Sequence, residues 1–254
     1  MSLEDAQREA DAGALKLARV LQSGAALDRY AYGDRPLREE IIQTIANDDG
    51  EDVAVVTRNL YGALVLNTPR AMFVDIDFAT HDRSAPAGGF FRRLFGRASS
   101  TEVEERSVQQ VQTWVKQQPD LGVRVYRTCA GLRCLVTNQT FDPTAPATIE
   151  LLHSVGSDPL YVRLCQAQAC FRARLTPKPW RCGIAAPPAR YPSTSAKRES
   201  RFHKWQSGYA RTSAKYSVCR LLQHFGAADV HPEIGPIVEL HDQFTCSPTD
   251  RPLA

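Results

Sequence analysis

Two aspartates stand one residue apart inside an apolar run, "AMFVDIDFAT" at residues 71–80. Strand side chains alternate, so Asp75 and Asp77 point to one face. Met72, Phe73, Val74, Ile76 and Phe78 read as a buried strand, where two carboxylates are unfavourable unless something compensates them. A divalent cation bound together with substrate phosphates needs one or two hard oxygen donors of this kind. Such an ion neutralises charge and organises an in-line displacement. The plainer reading is a strand end that runs into solvent or meets an arginine.

Cations with suitable spacing follow. In "VYRTCAGLRCLVT", residues 125–137, Arg127 and Arg133 flank a turn over 128–131 whose small residues let a ligand approach backbone N–H groups. Counted through the alternation, the two arginines could project near one another as a phosphate cradle; a hairpin with solvated arginines is the plainer alternative. In "CFRARLTPKPWRCG", residues 170–183, Arg172 and Arg174 share a face of an extended chain, and Lys178 and Arg181 come after. Pro177 and Pro179 stiffen that segment, which lowers the entropy lost on binding. Trp180 offers a ring for stacking a base or an arginine. The alternative is a basic edge segment anchored by Trp180.

Two further groups have chemical potential. Cys165, Cys170 and Cys182, with His203 beyond, form a C-x4-C…C…H layout that could hold zinc, although zinc knuckles use a tighter first pair. Buried thiols rank ahead of zinc here. In "PIVELHDQFT", residues 236–245, His241 and Asp242 end an apolar run read as a last strand. Whichever of them faces Asp75 and Asp77 becomes a third carboxylate or a proton-transfer group.

The composition admits these chemistries. The chain has 254 residues, 43% hydrophobic and 23% charged, which excludes wholesale disorder. Its net charge of +3 conceals an asymmetry. Residues 160–220 hold nine arginines, four lysines and one acid, Glu199, a net +12 against −9 for the remainder. Arginine outnumbers lysine by 25 to 6 in the whole chain, and its planar fork suits phosphate and carboxylate. The excess points to an anionic partner, nucleotide or nucleic acid first. No apolar run approaches the ~20 residues that span a bilayer, and the acidic N-terminus lacks a signal-peptide layout. A cytoplasmic protein without membrane contact, its seven cysteines reduced, is expected.

The elements that would carry these residues follow from periodicity. Helices are predicted over 3–22, with Gly24 as a stop, and over 34–48, with Pro36 in the first turn. "DVAVVTRN", "GALVLNT" and "AMFVDID" read as an antiparallel three-strand meander. Residues 79–100 form a loop with a basic aromatic insert, "FFRRLFGR". Thr101 and Glu104 make a capping box for a helix over 101–117, on which Val103, Val108, Val111, Trp114 and Val115 share a side. Residues 125–137 give strand, turn, strand. Residues 149–170 are partly helical, broken at "GSDP". Residues 200–225 form a basic helix ended by Gly226. One domain over 1–254 results, with a helical part over 1–50, a strand-rich core over 51–142, and a basic segment, helix and closing strand over 143–254. The fold class is α+β, a largely antiparallel sheet flanked by helices.

The order of these pieces resembles the archaeo-eukaryotic primase superfamily, especially its bacterial and phage primase-polymerase branch. The family's first motif is an apolar strand bearing D-x-D, matched by "MFVDIDF". A helix then leads to a strand and a T-x-x-G-x-H turn, matched in order by residues 101–117 and "VYRTCAGLRCLVT". The third motif is an apolar strand ending in aspartate, for which "IVELHD" is the candidate. The resemblance covers residues 70–137 plus the C-terminal motif. It implies that Asp75 and Asp77 bind catalytic Mg2+ or Mn2+, that Asp242 is the third acid, and that nucleoside triphosphate or nucleic acid is the ligand. The family's histidine, which contacts the incoming nucleotide's phosphates, falls at Arg133. Arginine can hold phosphate but does not titrate near neutral pH. "FRARLTPKPWRCG" has no counterpart in the family.

The sequence thus leads to a nucleotide- or nucleic-acid-binding, primase-polymerase-like protein with a possible nucleotidyltransferase activity. Asp75, Asp77 and Asp242 are its candidate metal ligands and catalytic acids. Arg127, Arg133, Arg172, Arg174, Lys178 and Arg181 form its candidate phosphate surface. One alternative is a non-catalytic nucleic-acid-binding or adaptor protein on the same fold, favoured by Arg133. A second is a metal-dependent phosphoesterase using Asp75, Asp77, His241 and Asp242.

Overall fold

"DVAVVTR", "LVLNT" and "FVDID" are rich in β-branched residues and largely buried, and they form strands as their composition predicts. The computed structural model describes residues 39–78, 100–189, 191–193, 195–246 and 251–254, which belong to a unit running from residue 38 to 254. The helix expected over 3–22 and the insert at 79–99 lie outside the described residues. The chain is α+β, with two four-stranded antiparallel sheets flanked by helices.

The first sheet has the order β1 (Glu40–Ala46), β2 (Asp52–Arg58), β3 (Leu64–Thr68), β7 (Phe171–Arg174). The second has the order β4 (Phe73–Asp77), β6 (Gly131–Val136), β5 (Gly122–Thr128), β8 (Cys219–Gly226). The helices are α1 (Ser100–Lys116), α2 (Pro146–Ser154), α3 (Pro159–Gln168), α4 (Ala196–Ser213) and α5 (Gly235–Thr245), with a 3-10 turn at Pro179–Cys182. One hydrophobic core joins both sheets, including Val56 and Leu66 from the first and Val74, Val125 and Leu132 from the second. Among the described residues no helix is long and apolar enough to cross a membrane.

Several expectations are corrected. The meander breaks after β3, and β4 crosses to the second sheet to pair with β6. The helix expected over 34–48 contains β1 instead, because Ile41, Ile42, Thr44 and Ile45 form a β-branched run that extends β2. The basic helix stops at Ser213, and Cys219–Gly226 is an edge strand on β5. Gly226, at φ +79°, ends that strand rather than the helix; a Cβ there would lie 1.9 Å from the Leu121 carbonyl oxygen. "PIVELHDQFT" is helix α5, not a closing strand. Thr101 lies inside α1, and Glu104 accepts a hydrogen bond from Arg127 Nε at 2.7 Å, so the capping box does not form.

The register of the second sheet decides which residues share a face. Asp75 pairs with Arg133, and Arg133 pairs with Tyr126. Asp75, Asp77, Arg133, Tyr126 and Arg124 therefore line one face. α5 packs on it, with His241 against the rings of Phe73 and Tyr126. Arg127 pairs with Leu132 and points to the opposite face. The expectation that Arg127 and Arg133 project together fails on this parity.

Candidate phosphate and metal site

The D-x-D sits where β4 runs out of the sheet. Asp75 is half-buried; Asp77 is exposed as a residue while its neighbours partly desolvate its carboxyl. Opposite Asp77 lies Gly131, where a Cβ would be 1.9 Å from the Ile76 carbonyl oxygen. The small residue at this turn admits β4's own backbone rather than a ligand. One of the turn's donors is also engaged: Gly131 N–H donates to Thr128 Oγ1 at 3.1 Å. The loop before α3 closes on the same strand, with Asp158 N–H donating to the Asp75 carbonyl at 2.8 Å.

Asp77 has like-charged neighbours. Burial, then the charges of Asp75 and Asp158, push its carboxyl above the ordinary aspartate range, against Lys178 and Arg181. Among the described residues, no hydrogen bond or ion pair reaches its carboxylate. The cations come from the segment after β7. Burial, with Arg174 and Arg181 adding repulsion, pulls the Lys178 amine down to about 8, against the attraction of Asp75 and Asp77. Arg174 feels burial first, then Arg133, and its Nε is buried without a hydrogen-bond partner. Asp75, Asp77, Arg174, Lys178 and Arg181 thus occupy one electrostatic neighbourhood.

Arg133 supports this neighbourhood from behind. It is 3% exposed, so it does not present a guanidinium to a ligand, contrary to its expected role on the phosphate surface. It donates to the Arg174 carbonyl at 2.9 Å and lies 4.0 Å from Asp75. Its Nη1 also meets His241 Nε2 at 3.4 Å. Arginine only donates, so Nε2 accepts and the proton sits on Nδ1, which points at Asp242 Oδ1 at 3.1 Å. Burial pulls His241 down to about 4, with Arg133 adding to this against the Asp242 hydrogen bond, so the ring is neutral at pH 7.

The other sequence-predicted residues fall elsewhere. Asp242 accepts from Arg124 at 2.6 Å and from Tyr126 at 2.8 Å, and does not join Asp75 and Asp77. Its expected place as third metal ligand rested on a strand geometry that the helix replaces. Arg127 is held by Glu104 and lies over the Phe78 ring at 4.5 Å. Arg172 Nη2 donates to both carboxylate oxygens of Glu39, at 2.7 and 2.9 Å, in a buried contact, so Arg172 is removed from the phosphate surface. Cys165 is buried on α3, Cys182 is buried in the 3-10 turn, and His203 is exposed on α4, 3.9 Å from Glu199. Among the described residues no three of His, Cys, Asp or Glu converge as a metal-binding group.

Two participants went unread in the sequence. Asp158 caps α3 through Leu160 N–H at 3.1 Å and adds its charge near Asp77. Its Asp-Pro position marks a helix start, and "GSDP" reads only as a break without that. Tyr61 meets Trp180 edge-on at 5.1 Å, a contact 119 residues apart that no local pattern carries.

The chain matches no family model, no curated protein and no solved structure.

Proposed function

We propose that this protein binds the phosphates of a nucleotide or nucleic acid where the D-x-D edge faces the segment 174–181, in the manner of a primase-polymerase-like protein. What carries this reading is Arg133, which lies 4.0 Å from Asp75 and holds the Arg174 carbonyl, together with the electrostatic influence of Asp75 and Asp77 on Lys178 and of Lys178 and Arg181 on Asp77. Lysine and arginine charges suit phosphate oxygens. The two carboxylates fit Mg2+ or Mn2+ only with phosphate oxygens and water completing the shell, the usual arrangement for a magnesium site. A bound ion of this kind would lower the charge at the carboxylates and polarise a phosphoryl oxygen. The chain's own part is to bind and orient: Lys178 and Arg181 hold the anion, and Arg133 fixes the Arg174 backbone beside it.

A non-catalytic nucleic-acid-binding or adaptor protein is the second reading. Arg133 stands at the position of the family's nucleotide-contacting histidine yet is buried, and Asp242 is engaged with Arg124 and Tyr126. The phosphoesterase reading is dropped, because His241 is 0% exposed behind Arg133 and neutral.

Calorimetric titration of a nucleoside triphosphate with magnesium tests the leading reading. Asp75→Ala with Asp77→Ala is expected to abolish the magnesium-dependent part of binding while the thermal unfolding curve stays two-state. Unchanged affinity in the double variant sinks the metal role of the pair. Primer extension with manganese then separates the readings: extension supports a nucleotidyltransferase, and binding without extension supports the adaptor.

A further inference from the structure

Of the three tryptophans, Trp180, which meets Tyr61 edge-on, is the one left about half exposed. Trp114 is buried at 4% exposure and donates from Nε1 to Ser154 Oγ at 2.8 Å. Trp205 is stacked on Tyr209 at 5.1 Å and on Phe202 at 5.7 Å, and donates to the Ala185 carbonyl at 2.8 Å. It also covers Gly62, where a Cβ would come within 2.3 Å of its ring. Trp180 is 47% exposed. A half-exposed indole on a stiff turn presents an apolar ring with a polar edge to a ligand.

The turn is built to hold the ring out. Leu175, Pro177, Pro179 and Cys182 are buried, while Lys178 and Trp180 alternate outward. Ile184 N–H closes the turn on the Pro179 carbonyl at 2.9 Å, and Arg181 N–H donates to the Lys178 carbonyl at 2.9 Å. Tyr209 hydroxyl anchors the Pro177 carbonyl from α4. The Lys178 ammonium lies 5.6 Å from the Trp180 ring centroid. That same ammonium feels Asp75 and Asp77, so the ring and the charged site share a residue.

We propose that Trp180 is a stacking platform for a nucleobase whose phosphate rests on Lys178 and Arg181. This deepens the phosphate-binding reading above and rests on it. Every base offers a π-face, so the platform accepts any sequence, and it needs an unpaired base because duplex bases stack on each other. A cation beside the ring suits a ligand that joins an aromatic face to a negative phosphate. A free nucleoside triphosphate and a single strand share this chemistry.

The test is calorimetric titration of the full chain, with magnesium, against inorganic tripolyphosphate, a nucleoside triphosphate and oligothymidylate. Trp180→Leu keeps apolar bulk without a π-face, and Trp180→Phe keeps a smaller π-face. Trp180→Leu is expected to weaken the base-bearing ligands by about tenfold, with tripolyphosphate within twofold of the wild type. Trp180→Phe is expected to recover most of the loss. Which base-bearing ligand binds more tightly to the wild type identifies free nucleotide or strand as the source. Equal affinities for all three probes in the wild type and Trp180→Leu overturn the platform and leave the phosphate site standing. Equal loss of tripolyphosphate and nucleotide in Trp180→Leu also overturns it, because the ring is then structural. Failure of the wild type to bind any of the three probes overturns the phosphate reading and the platform with it.

Discussion

Asp77 at the end of β4 and Asp242 on α5 lie beside one face of one sheet, and their acidities move in opposite directions. Burial alone would raise both. At Asp242 the hydrogen bonds from His241 and Tyr126 and the charge of Arg124 outweigh burial and hold the carboxyl below its ordinary range. At Asp77 the nearest charges include two more carboxylates, and the carboxyl rises. The arginines of β7 divide the same way. Arg172 is locked to Glu39, and Arg174, two residues on, keeps a buried Nε without a partner. In both pairs one member completes the fold. The other sits among Asp75, Asp77, Lys178 and Arg181 with its acidity shifted, and perturbed groups that cluster beside one another are where a ligand is expected.

The largest expected effect falls on the Glu39–Arg172 pair at β7. Glu39→Ala strands Arg172 at 9% exposure, with Gln168 as its remaining side-chain hydrogen-bond partner among the described residues. Removing one partner of a buried ion pair is strongly destabilising, and a loss of about 3 kcal/mol is expected in urea denaturation. Binding of tripolyphosphate by the folded fraction should stay as in the wild type. Tighter anion binding at unchanged stability would return Arg172 to the phosphate surface.

Asp242→Ala ranks next. It leaves Arg124, the Tyr126 hydroxyl and the His241 Nδ1–H without their shared acceptor. Arg124 and Asp242 are about a quarter exposed, so water relieves part of the loss. A destabilisation of about 2 kcal/mol is expected in the same denaturation experiment. Magnesium-dependent nucleotide binding should survive it. If binding disappears and stability does not, Asp242 is a ligand of the ion after all.

These assignments could not all be read in advance. The D-x-D strand, the hairpin of β5 and β6 and helix α1 follow from local alternation and helical spacing, which need only neighbouring residues. α5 was misread because Ile237, Val238 and His241 satisfy a short apolar run and a helical stripe alike. Pro236 at its first turn was the local sign of a helix. β1 was misread because the charges around it resemble a helix surface, while its isoleucines gain their stability from β2. The cation cluster was legible as composition but not as geometry. Parity through the β5–β6 register separates Arg127 from Arg133, and Glu39 finds Arg172 across 133 residues of sequence. Only tertiary packing distinguishes the arginine that is neutralised from the one that is not.

The smallest expected effect tests the functional half of the comparison. Asp77 has a folded-state pKa above its unfolded value, so its contribution to stability is full below the unfolded value and is lost as pH rises through the folded one. Asp242 does the opposite: its contribution is present above the unfolded value and is lost as pH falls through its lowered folded value. Asp77→Asn removes the charge that burial, Asp75 and Asp158 oppose and keeps the shape. At pH 7 it should therefore raise the melting temperature by roughly 1–3 °C, a surface-sized effect for a domain of this length. The gain should shrink as pH falls toward the ordinary aspartate value, where the wild-type carboxyl is protonated too. Magnesium should erase the difference from the other side, because a bound divalent ion relieves the same repulsion in the wild type and has less to bind in the variant. A melting temperature that falls on substitution at pH 7 would place Asp77 with Asp242, as a satisfied structural acid, and remove the electrostatic reason for putting an ion at the end of β4.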